Sequence, residues 1–452
     1  MKRNWLILLL ITALLLSGCS TSSRPKESPR NDDYTAGFAA VDIPIPENST
    51  QPLYIAGYHQ AWEMTGVLDL QRASALWLDN GSTSLLLLSI DCIGLDGGTV
   101  ADIRDRLSTF CRETGCDGVN VISTHTHAGL DTLGLWGPMA QDGKNDAFME
   151  NLKQAAVEAA KLAYADRSTG TLSYGATEVS GMQEDSRLPH VYDNHLYQLR
   201  FIPDDPAQNG IRLLSFAAHA EALRGDNRLV SRDYPGSMAD TIYERTGDDT
   251  MYLPGAIGGL IMTPKLYEDP FYPIPNMTHT GKKLALAALS EETFHTLDTD
   301  MAFSRVEFET PMTNTAFLYY RFLGILQNDV RRTPGGRYLL RSEVTVIRLG
   351  DVTLVLMPGE VFPELISGTG QPEDPSPYAA IAARYGQEKV MFVGLANDEL
   401  GYIVPPSDYR LSEDAPYFKE AEGDHYEETN SVGIDCAADL AEAMETALKE
   451  MA

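Results

Sequence analysis

The sequence predicts a mixed α/β (α+β) protein in which one large domain is built round a central sheet. Short apolar runs of strand length alternate with longer segments whose apolar residues recur at helical spacing. Of the 452 residues, 43% are hydrophobic and 22% are charged, which is typical of a folded globular chain. The sequence contains neither an internal repeat nor a Gly/Ser-rich linker, so we expect the elements to share one body.

The first residues have the pattern of a bacterial lipoprotein signal peptide. A basic start, Lys2-Arg3, precedes an apolar run from Trp5 to Leu16, which is shorter than the roughly 20 residues of a membrane span. The segment Leu16 to Cys19 resembles a lipobox, which implies a signal peptide over residues 1–19 and lipidation of Cys19. The alternative is a plain secretory signal with an incidental cysteine.

The segment that follows predicts how the folded body is attached. Residues 20–33 are polar and show no apolar periodicity, so we expect a flexible tether. The 35 basic and 64 acidic residues give a net charge of −29, which argues against nucleic acid as a partner and against electrostatic docking on anionic lipid. We therefore expect attachment through the lipid anchor at Cys19, on the extracytoplasmic face of the bacterial cell membrane.

Local signals place the first elements of the body. Asp79-Asn80-Gly81 separates two apolar runs, Arg72–Leu78 and Thr83–Ile90, and Asn-Gly in that position predicts a hairpin. Thr99 is a candidate cap for a helix that runs to Glu113, with Gly115 just past its end. A strand at Gly118–Ser123 and a helix capped by Asp146 and ending at Ala165 follow.

The remaining elements are predicted from apolar runs and periodicity. Strands are expected at Thr171–Val179, His195–Ile202, Arg212–Ala218, Glu343–Leu349, Val352–Met357 and Lys389–Leu395. Helices are expected at Ser237–Arg245, Lys282–Thr296 and Asp435–Met451, and a long loop at Pro264 to Pro275.

The cysteines of the body leave two interpretations open. Cys111 and Cys116 are close enough to pair across a helix end, and export would permit a disulfide. Alternatively, all four cysteines of the body are small buried apolar side chains, namely Cys92, Cys111, Cys116 and Cys436. Because no Cys-x-x-Cys occurs, a thiolate zinc site is not expected.

Polar side chains stand at the carboxyl ends of four predicted strands. His125 and His127 follow the run Val119 to Ile122, and in extended backbone residues two apart face the same way. His219, Glu360 and Tyr402 follow three other runs. Each has an ordinary alternative, such as a hydrogen-bonded histidine or a packed tyrosine. Together, two histidines and a glutamate form a catalytic type of zinc site, at the strand ends where α/β enzymes gather their sites.

Several segments, in order, resemble the catalytic domain of the neutral/alkaline ceramidases, zinc amidases that split ceramide into sphingosine and fatty acid. The family motif His-Thr-His-Ser-Gly is matched with Ala128 in place of serine, and Pro-Gly-Glu is matched in full. The similar segments are Val41 to Ile43, Gly57-Tyr58, His125 to Gly129, Ser186 to Tyr192, His219 with Asn227, Ser231 to Asp233, Pro358 to Glu360, and Asn397 to Tyr402. The resemblance covers residues 34–452 and does not include the immunoglobulin-like module into which the family usually continues.

The resemblance implies a site and a reaction. Zn²⁺ would be held by His125, His219, Glu360 and Tyr402, and an activated water would attack an amide or ester of an N-acyl lipid-like substrate. The other roles are assigned as follows: His127 carries a proton to the leaving group or orients the metal ligands, Arg187 and Tyr192 stabilise the oxyanion, and Asp233 orients a ligand histidine. For Asp233 the alternative is ordinary turn chemistry.

One departure from the family puts ceramide itself in doubt. Ceramidases carry Gly-Asp-Val-Ser-Pro at the reaction centre, whereas this chain has Gly259-Leu260-Ile261-Met262-Thr263-Pro264, with only Thr263 as a hydroxyl. The competing interpretation is a catalytically degenerate member, a zinc-containing surface lipoprotein that binds lipid or glycan. The sequence lacks the His-x-His-x-Asp-His of metallo-β-lactamases and the Gly-x-Ser-x-Gly of serine hydrolases.

Overall fold

The computed structural model describes residues 33–185, 187–260 and 273–451. The strands of these ranges are, in order, β1 (Tyr34–Asp42), β2 (Gly66–Val67), β3 (Arg72–Asp79), β4 (Ser84–Ile90), β5 (Gly118–Ser123), β6 (Ser168–Glu178), β7 (His195–Pro203), β8 (Ile211–Phe216), β9 (Leu229–Val230), β10 (Asp249–Pro254), β11 (His295–Thr296), β12 (Met301–Pro311), β13 (Asp329–Arg332), β14 (Tyr338–Leu349), β15 (Val352–Leu356), β16 (Glu360–Val361), β17 (Lys389–Val393) and β18 (Tyr402–Ile403). The helices are α1 (Gly97–Thr114), α2 (Asp146–Ala165), α3 (Asp233–Thr246), α4 (Pro273–Ser290), α5 (Thr315–Phe322), α6 (Pro363–Ser367), α7 (Tyr378–Arg384) and α8 (Cys436–Glu450).

Two mixed sheets form the centre of the fold. The larger has the order β10-β8-β7-β6-β1-β3-β4-β5, with β11 paired to β6, and the smaller has the order β12-β14-β15-β17, with β13 paired to β14. The pairs β4–β5, β8–β10 and β15–β17 are parallel, and the other pairs of these two sheets are antiparallel. The predicted mixed α/β class is confirmed.

The sheets pack face to face, with helices on both outer faces. The alternation of side chains along β4 makes this visible, because Leu85 and Leu87 belong to the core between the sheets, whereas Leu86 and Leu88 pack with the residues of α1 and α2. On the smaller sheet, Leu354 faces the larger sheet and Val355 packs with α8. The fold therefore has four layers, two of strands between two of helices, and the functional residues lie in segments that follow the strands.

The main predicted elements are present, but several boundaries differ. The cap of α1 is Asp96, whose side chain accepts from the amide of Thr99 at 2.9 Å, and not Thr99 itself. The cap of α2 is Asn145 and not Asp146. The predicted loop Pro264 to Pro275 lies partly outside the described residues, and its last three residues form the first turn of α4, where proline is tolerated. That helix ends at Ser290, and residues 295–296 pair with β6 instead of continuing it.

Two further expectations concern thiols and the membrane. Cys92, Cys111, Cys116 and Cys436 are free thiols in the structure. Within the described ranges, no helix is both long enough and apolar enough to cross a bilayer. The predicted signal peptide, the tether up to residue 32 and Cys19 lie outside those ranges.

Candidate metal centre

The structure brings five of the predicted site residues together in one buried cluster. His125 and His127 follow β5, and the ring centroids of the two imidazoles are 4.8 Å apart. The ring of His219, which follows β8, lies 4.7 Å from that of His125 and 5.4 Å from that of His127. Glu360 and Tyr402 enter from the short parallel pair β16–β18.

The two histidines of the first motif converge by a different backbone path from the one expected. His125 has φ +63°, a left-handed conformation that is uncommon outside glycine, so the segment is not an extended strand at this point. The amide of His127 then donates to the carbonyl of Ala220 at 3.0 Å, which ties the first motif to the segment that carries His219. Gly57 must be glycine here, because a Cβ on it would lie 2.6 Å from Nδ1 of His127.

Backbone carbonyls fix the orientation of two imidazoles. Nδ1 of His125 lies 2.6 Å from the carbonyl oxygen of Ile93, and Nδ1 of His219 lies 2.6 Å from that of Leu260. A carbonyl can only accept, so each Nδ1 carries the proton and each Nε2 presents its lone pair to the centre of the cluster. This is the arrangement that metal-binding histidines usually have.

Glu360 and Tyr402 are held in register by main-chain pairing. They are Cα partners in β16–β18, and the amide of Glu360 donates to the carbonyl of Gly401 at 2.9 Å. Gly401 has φ +72°, and a Cβ there would lie 1.8 Å from the carbonyl oxygen of Asn430. Only glycine fits this turn, so the segment that positions the oxygen atoms of Glu360 and Tyr402 is tightly constrained.

The spacing of the donor atoms fits a tetrahedral metal site. Oε2 of Glu360 lies 2.9 Å from Nε2 of His219 and 3.4 Å from Nε2 of His125, and the Tyr402 hydroxyl lies 3.5 Å from Nε2 of His219. Ligands about 2.0–2.1 Å from a tetrahedral zinc are separated by about 3.3–3.4 Å. Nε2 of His127 is 3.1 Å from Nε2 of His125, and the three histidines alone offer ligand atoms within 4.8 Å of one another.

The electrostatics of the cluster favour a bound cation. Burial opposes the charge of Glu360, but His125 and His219, when their Nε2 atoms carry protons, hold the pKa of its carboxyl well below the ordinary value. Burial and the charge of Glu360 raise the pKa of Tyr402 well above its ordinary value, so its hydroxyl is protonated unless a cation displaces the proton. Burial and the two neighbouring histidines lower the pKa of His127, which is therefore a neutral imidazole.

Four residues of the site carried no predicted role. Glu221 accepts from the Tyr58 hydroxyl and its Oε2 lies 3.7 Å from Nδ1 of His127. Burial raises the pKa of Glu221 to about 7, against the lowering effect of His219 and of the bond from Tyr58. Tyr426 lies 2.5 Å from the Tyr402 hydroxyl, and Glu399 accepts from the amide of Gly401 at 2.8 Å. Alternation could have indicated Glu221, two residues after His219, whereas only the fold reveals Tyr426.

Two predicted residues, Arg187 and Tyr192, have contacts that differ from their predicted roles. The Arg187 guanidinium is 4% exposed and donates to Glu427, Glu428 and Asp408, so its prediction as an oxyanion donor finds no support in its contacts. Tyr192 is 42% exposed and stacks on His190. Neither Tyr192 nor Arg187 lines the cavity that adjoins the histidine cluster.

Asp233 supports the segment that follows His219 through hydrogen bonds to its backbone amides. Its carboxylate accepts from the amides of Ala222, Leu223 and Tyr234 at 2.6–2.9 Å, which is the turn chemistry considered as the alternative. Burial raises the pKa of Asp233 to about 6. Thr263, the one hydroxyl residue in the segment that differs from the ceramidase motif, lies outside the described residues.

The cluster lies at the inner end of a cavity of about 540 Å³. His125, His127, Glu360, Tyr402 and Tyr426 form its polar end. The rest of the wall is mainly apolar and aromatic, with Leu133, Leu135, Trp136, Phe317, Leu326 and Leu340 among its members. A few convergent polar groups in an otherwise apolar cavity are typical of a small-molecule site.

The fold and the cluster define an α/β protein with a candidate metal centre, and comparison gives the fold a name. No family model and no curated protein matches the sequence. The solved structure of neutral ceramidase from Pseudomonas aeruginosa is similar, with a TM-score of 0.73 and 15% identity over 93% of this chain and 75% of that chain. A ceramidase described as complexed with C2 gives a TM-score of 0.71 and 14% identity, with the same coverage. The chain thus has the fold of the neutral ceramidases.

Proposed function

We propose that this chain is a zinc-dependent hydrolase of the neutral ceramidase type that cleaves an amide, or an ester, of an N-acyl lipid-like substrate. It acts at the extracytoplasmic face of a bacterial membrane, tethered through lipid on Cys19. The single observation that carries the proposal is the convergence of donor atoms from His125, His219 and Glu360 at 2.9–3.4 Å, with the Tyr402 hydroxyl 3.5 Å from His219.

The ligand set proposed for zinc is His125, His219, Glu360 and Tyr402. The two imidazoles present Nε2, and the carboxylate bridges them in space. When bound, zinc in such a site lowers the pKa of water from about 16 to about 7 and polarises a carbonyl. Two imidazoles, a carboxylate and a phenol suit zinc better than calcium or magnesium, which prefer oxygen ligands.

His127 and Tyr426 supply the proton chemistry in this proposal. His127 is a neutral imidazole in direct contact with His125, so it can accept a proton from the attacking water and pass it to the leaving amine. Burial and the charge of Glu360 raise the pKa of Tyr426, so its hydroxyl remains a donor at neutral pH and can hydrogen-bond the developing oxyanion. Tyr426 takes the role that the sequence had assigned to Arg187 and Tyr192.

The cavity supports an acyl chain as the part of the substrate that is recognised. Its aromatic and leucine walls offer apolar contact to an alkyl chain. The polar end lies beside the histidines, which is where an amide or ester at the head of that chain would sit. Ceramide remains one member of this class and is not singled out by the contacts.

A specific observation favours the second candidate, a degenerate member that binds lipid or glycan without hydrolysis. Leu260 stands in the segment where ceramidases carry their Gly-Asp-Val-Ser-Pro motif, and its side chain is buried. Its carbonyl nevertheless accepts from Nδ1 of His219, so the segment still supports the candidate metal ligand. The two candidates therefore share the metal site and differ in catalysis.

Metal analysis and hydrolysis assays on the same samples test both candidates. We expect about one zinc per chain, and at least a 10–100-fold loss of zinc affinity in His125→Ala and in His219→Ala. The matched control is His195→Ala, because His195 is half exposed and pairs with Asp193 away from the cluster. Unchanged zinc in both cluster variants would contradict the proposal, and zinc without hydrolysis of any N-acyl amide or ester would favour the degenerate member.

The anchor is tested separately by lipid labelling. Wild type should incorporate a radiolabelled fatty acid and sediment with membranes, whereas Cys19→Ser should not incorporate label. Equal labelling of both chains would remove the lipid anchor from the proposal.

A further inference from the structure

Large apolar side chains surround the mouth of the cavity and are exposed to solvent. Met139 is 79% exposed, Phe418 69% and Tyr319 50%, and all three also line the cavity. Phe322, which is 67% exposed, lies one turn after Tyr319 on α5. We call these four side chains the apolar rim. Single exposed apolar residues are ordinary, but a group of them at a cavity mouth marks an interaction surface.

The helix that carries half of the rim is unusual in composition. The sequence of α5 is Thr-Ala-Phe-Leu-Tyr-Tyr-Arg-Phe, yet none of its residues is buried. Its cap, Asn314, is fully buried and donates to the carbonyls of Thr429 and Ser431. The first turn is therefore fixed to the body, and Phe317 and Tyr320 pack in part against its core, while Tyr319 and Phe322 remain at the surface.

Two constrained turns present the other half of the rim. Met139 occupies the second position of a turn closed by the amide of Gln141 on the carbonyl of Pro138 at 2.8 Å, with Ala140 at φ +58°. Tyr417 has φ +66° and is buried, with its hydroxyl 2.6 Å from that of Thr313, and the next residue, Phe418, points outward. Left-handed backbone at a tyrosine is strained, so the exposure of Phe418 is built into the fold.

We propose that the apolar rim docks on a neutral or zwitterionic lipid surface, so that the cavity faces the bilayer and takes its apolar ligand from it. A net charge of −29 disfavours anionic lipid, whereas aromatic and methionine side chains suit the interface of an uncharged bilayer. The predicted lipid attachment at Cys19 precedes Asp33 by 14 residues, which span at most about 50 Å and keep the body near the membrane. The lipid-derived ligand rests on the proposed function, whereas the docking face rests on the exposed rim.

The experiment measures which face of the anchored protein meets the lipid. Three full-length variants, Phe418→Trp, Phe322→Trp and Tyr243→Trp, are each reconstituted in phosphatidylcholine vesicles. Tryptophan emission is then compared between vesicles with and without lipids brominated on the acyl chain. Tyr243 is the matched control, because it is 55% exposed on α3 and does not line this cavity. We expect the emission added at positions 418 and 322, relative to the parent chain, to fall about twofold or more with brominated lipid, and the emission added at 243 to stay unchanged.

The outcomes separate docking from catalysis. Absence of quenching at 418 and 322, or equal quenching at all three positions, overturns the docking face. A wild-type chain that is dimeric in solution and becomes monomeric as Phe418→Ser assigns the rim to a second copy and also overturns it. Quenching at the rim in a chain that hydrolyses nothing leaves the docking face standing and removes the proposed reaction. Hydrolysis of soluble amides without quenching does the reverse.

Discussion

Replacement of Arg187 by methionine should destabilise the protein strongly, because Arg187 neutralises buried carboxylates. Its guanidinium is 4% exposed and donates to Glu427 at 3.1 Å and to Glu428 at 3.1 and 3.3 Å, and both carboxylates are fully buried. Removing one partner of a buried ion pair costs about 3–5 kcal/mol. Unfolding entropy of about 2.1 cal/mol/K per residue over about 400 described residues converts this into a fall in Tm of about 4–6 °C.

Protonation of Glu427 limits that cost and makes it depend on pH. Burial, opposed by the charge of Arg187, raises the pKa of Glu427 to about 7. At pH 8 the carboxylate of Glu427 is charged in the wild type. In Arg187→Met it either stays charged without its partner or takes up a proton, and protonation costs about 1.4 kcal/mol for each unit by which the pH exceeds its pKa. At pH 5.5 it is already neutral, so the loss of Arg187 should cost less there.

Thermal denaturation of four chains at pH 8 measures this coupling. The chains are wild type, Arg187→Met, Glu427→Gln and the double variant, which should be more stable than additivity allows by about 1–3 kcal/mol. The matched control is Arg341→Met, since Arg341 is half exposed in its ion pairs and should change stability by less than about 1 kcal/mol. An Arg187 variant as stable as the control, but with hydrolysis lost, would refute this reasoning and restore Arg187 as an oxyanion donor.

Three further predictions concern Glu427, the turn at Gly401 and the proposed zinc. Glu427→Gln should flatten the dependence of the unfolding free energy on pH, because the stability that Glu427 contributes is full below about pH 4.5 and is lost as pH rises through 7. Urea titrations across this window measure the dependence, and a variant that loses stability with rising pH as steeply as wild type would contradict the prediction. Gly401→Ala should lower both zinc content and Tm, because its Cβ would lie 1.8 Å from the Asn430 carbonyl, whereas Gly386→Ala, with φ +75° and no atom within 4 Å, carries only the backbone strain; equal zinc content in the two variants would contradict the clash argument. Chelation should lower the Tm of wild type by about 5 °C if zinc is present at about 1,000 times its Kd, and should leave His219→Ala unchanged in a calorimetric scan.

The elements could be predicted because their signals are local. Asn80-Gly81 between two apolar runs identified the hairpin of β3 and β4, and the alternation of leucines along β4 follows from burial on both faces. The caps of α1 and α2 were missed by three residues and one residue because the capping side chain, Asp96 for α1, precedes the helix and its partner amide is three residues later. The helices α3 and α4 begin four and nine residues before their predicted starts. In the smaller sheet, β14 begins five residues before the predicted segment Glu343–Leu349, and β12 and β13 were not predicted. Charged residues interrupt the apolar pattern along β12 and β13, so neither contains the apolar run on which the predictions depended.

The candidate site could be predicted only in part. The signals for its donor residues lie close to them in the sequence, whereas the residues that position or pair with the predicted ones lie far away in the sequence. Each histidine follows an apolar strand, a signal that the sequence carries within ten residues. The contacts that decide roles span the chain: Arg187 is paired with residues about 240 positions later, and Tyr426 reaches the Tyr402 hydroxyl through the fold. The left-handed turn at His125 has no signature in its own residue type.

The contacts of the buried carboxylates show that the centre of this cluster needs positive charge. Glu360 and Glu221 are buried and Glu399 is partly buried, and the charge of Glu360 helps to raise the pKa of each of the other two. Glu360 is the carboxylate that both imidazoles contact, and its Oε2 lies 2.9 Å from Nε2 of His219 and 3.4 Å from Nε2 of His125. Two inward lone pairs cannot donate to a carboxylate, so in the tautomers fixed by Ile93 and Leu260 the contacts at 2.9 and 3.4 Å bring together acceptors only. Protons on Nε2 of the imidazoles or a cation between the donor atoms would resolve this conflict.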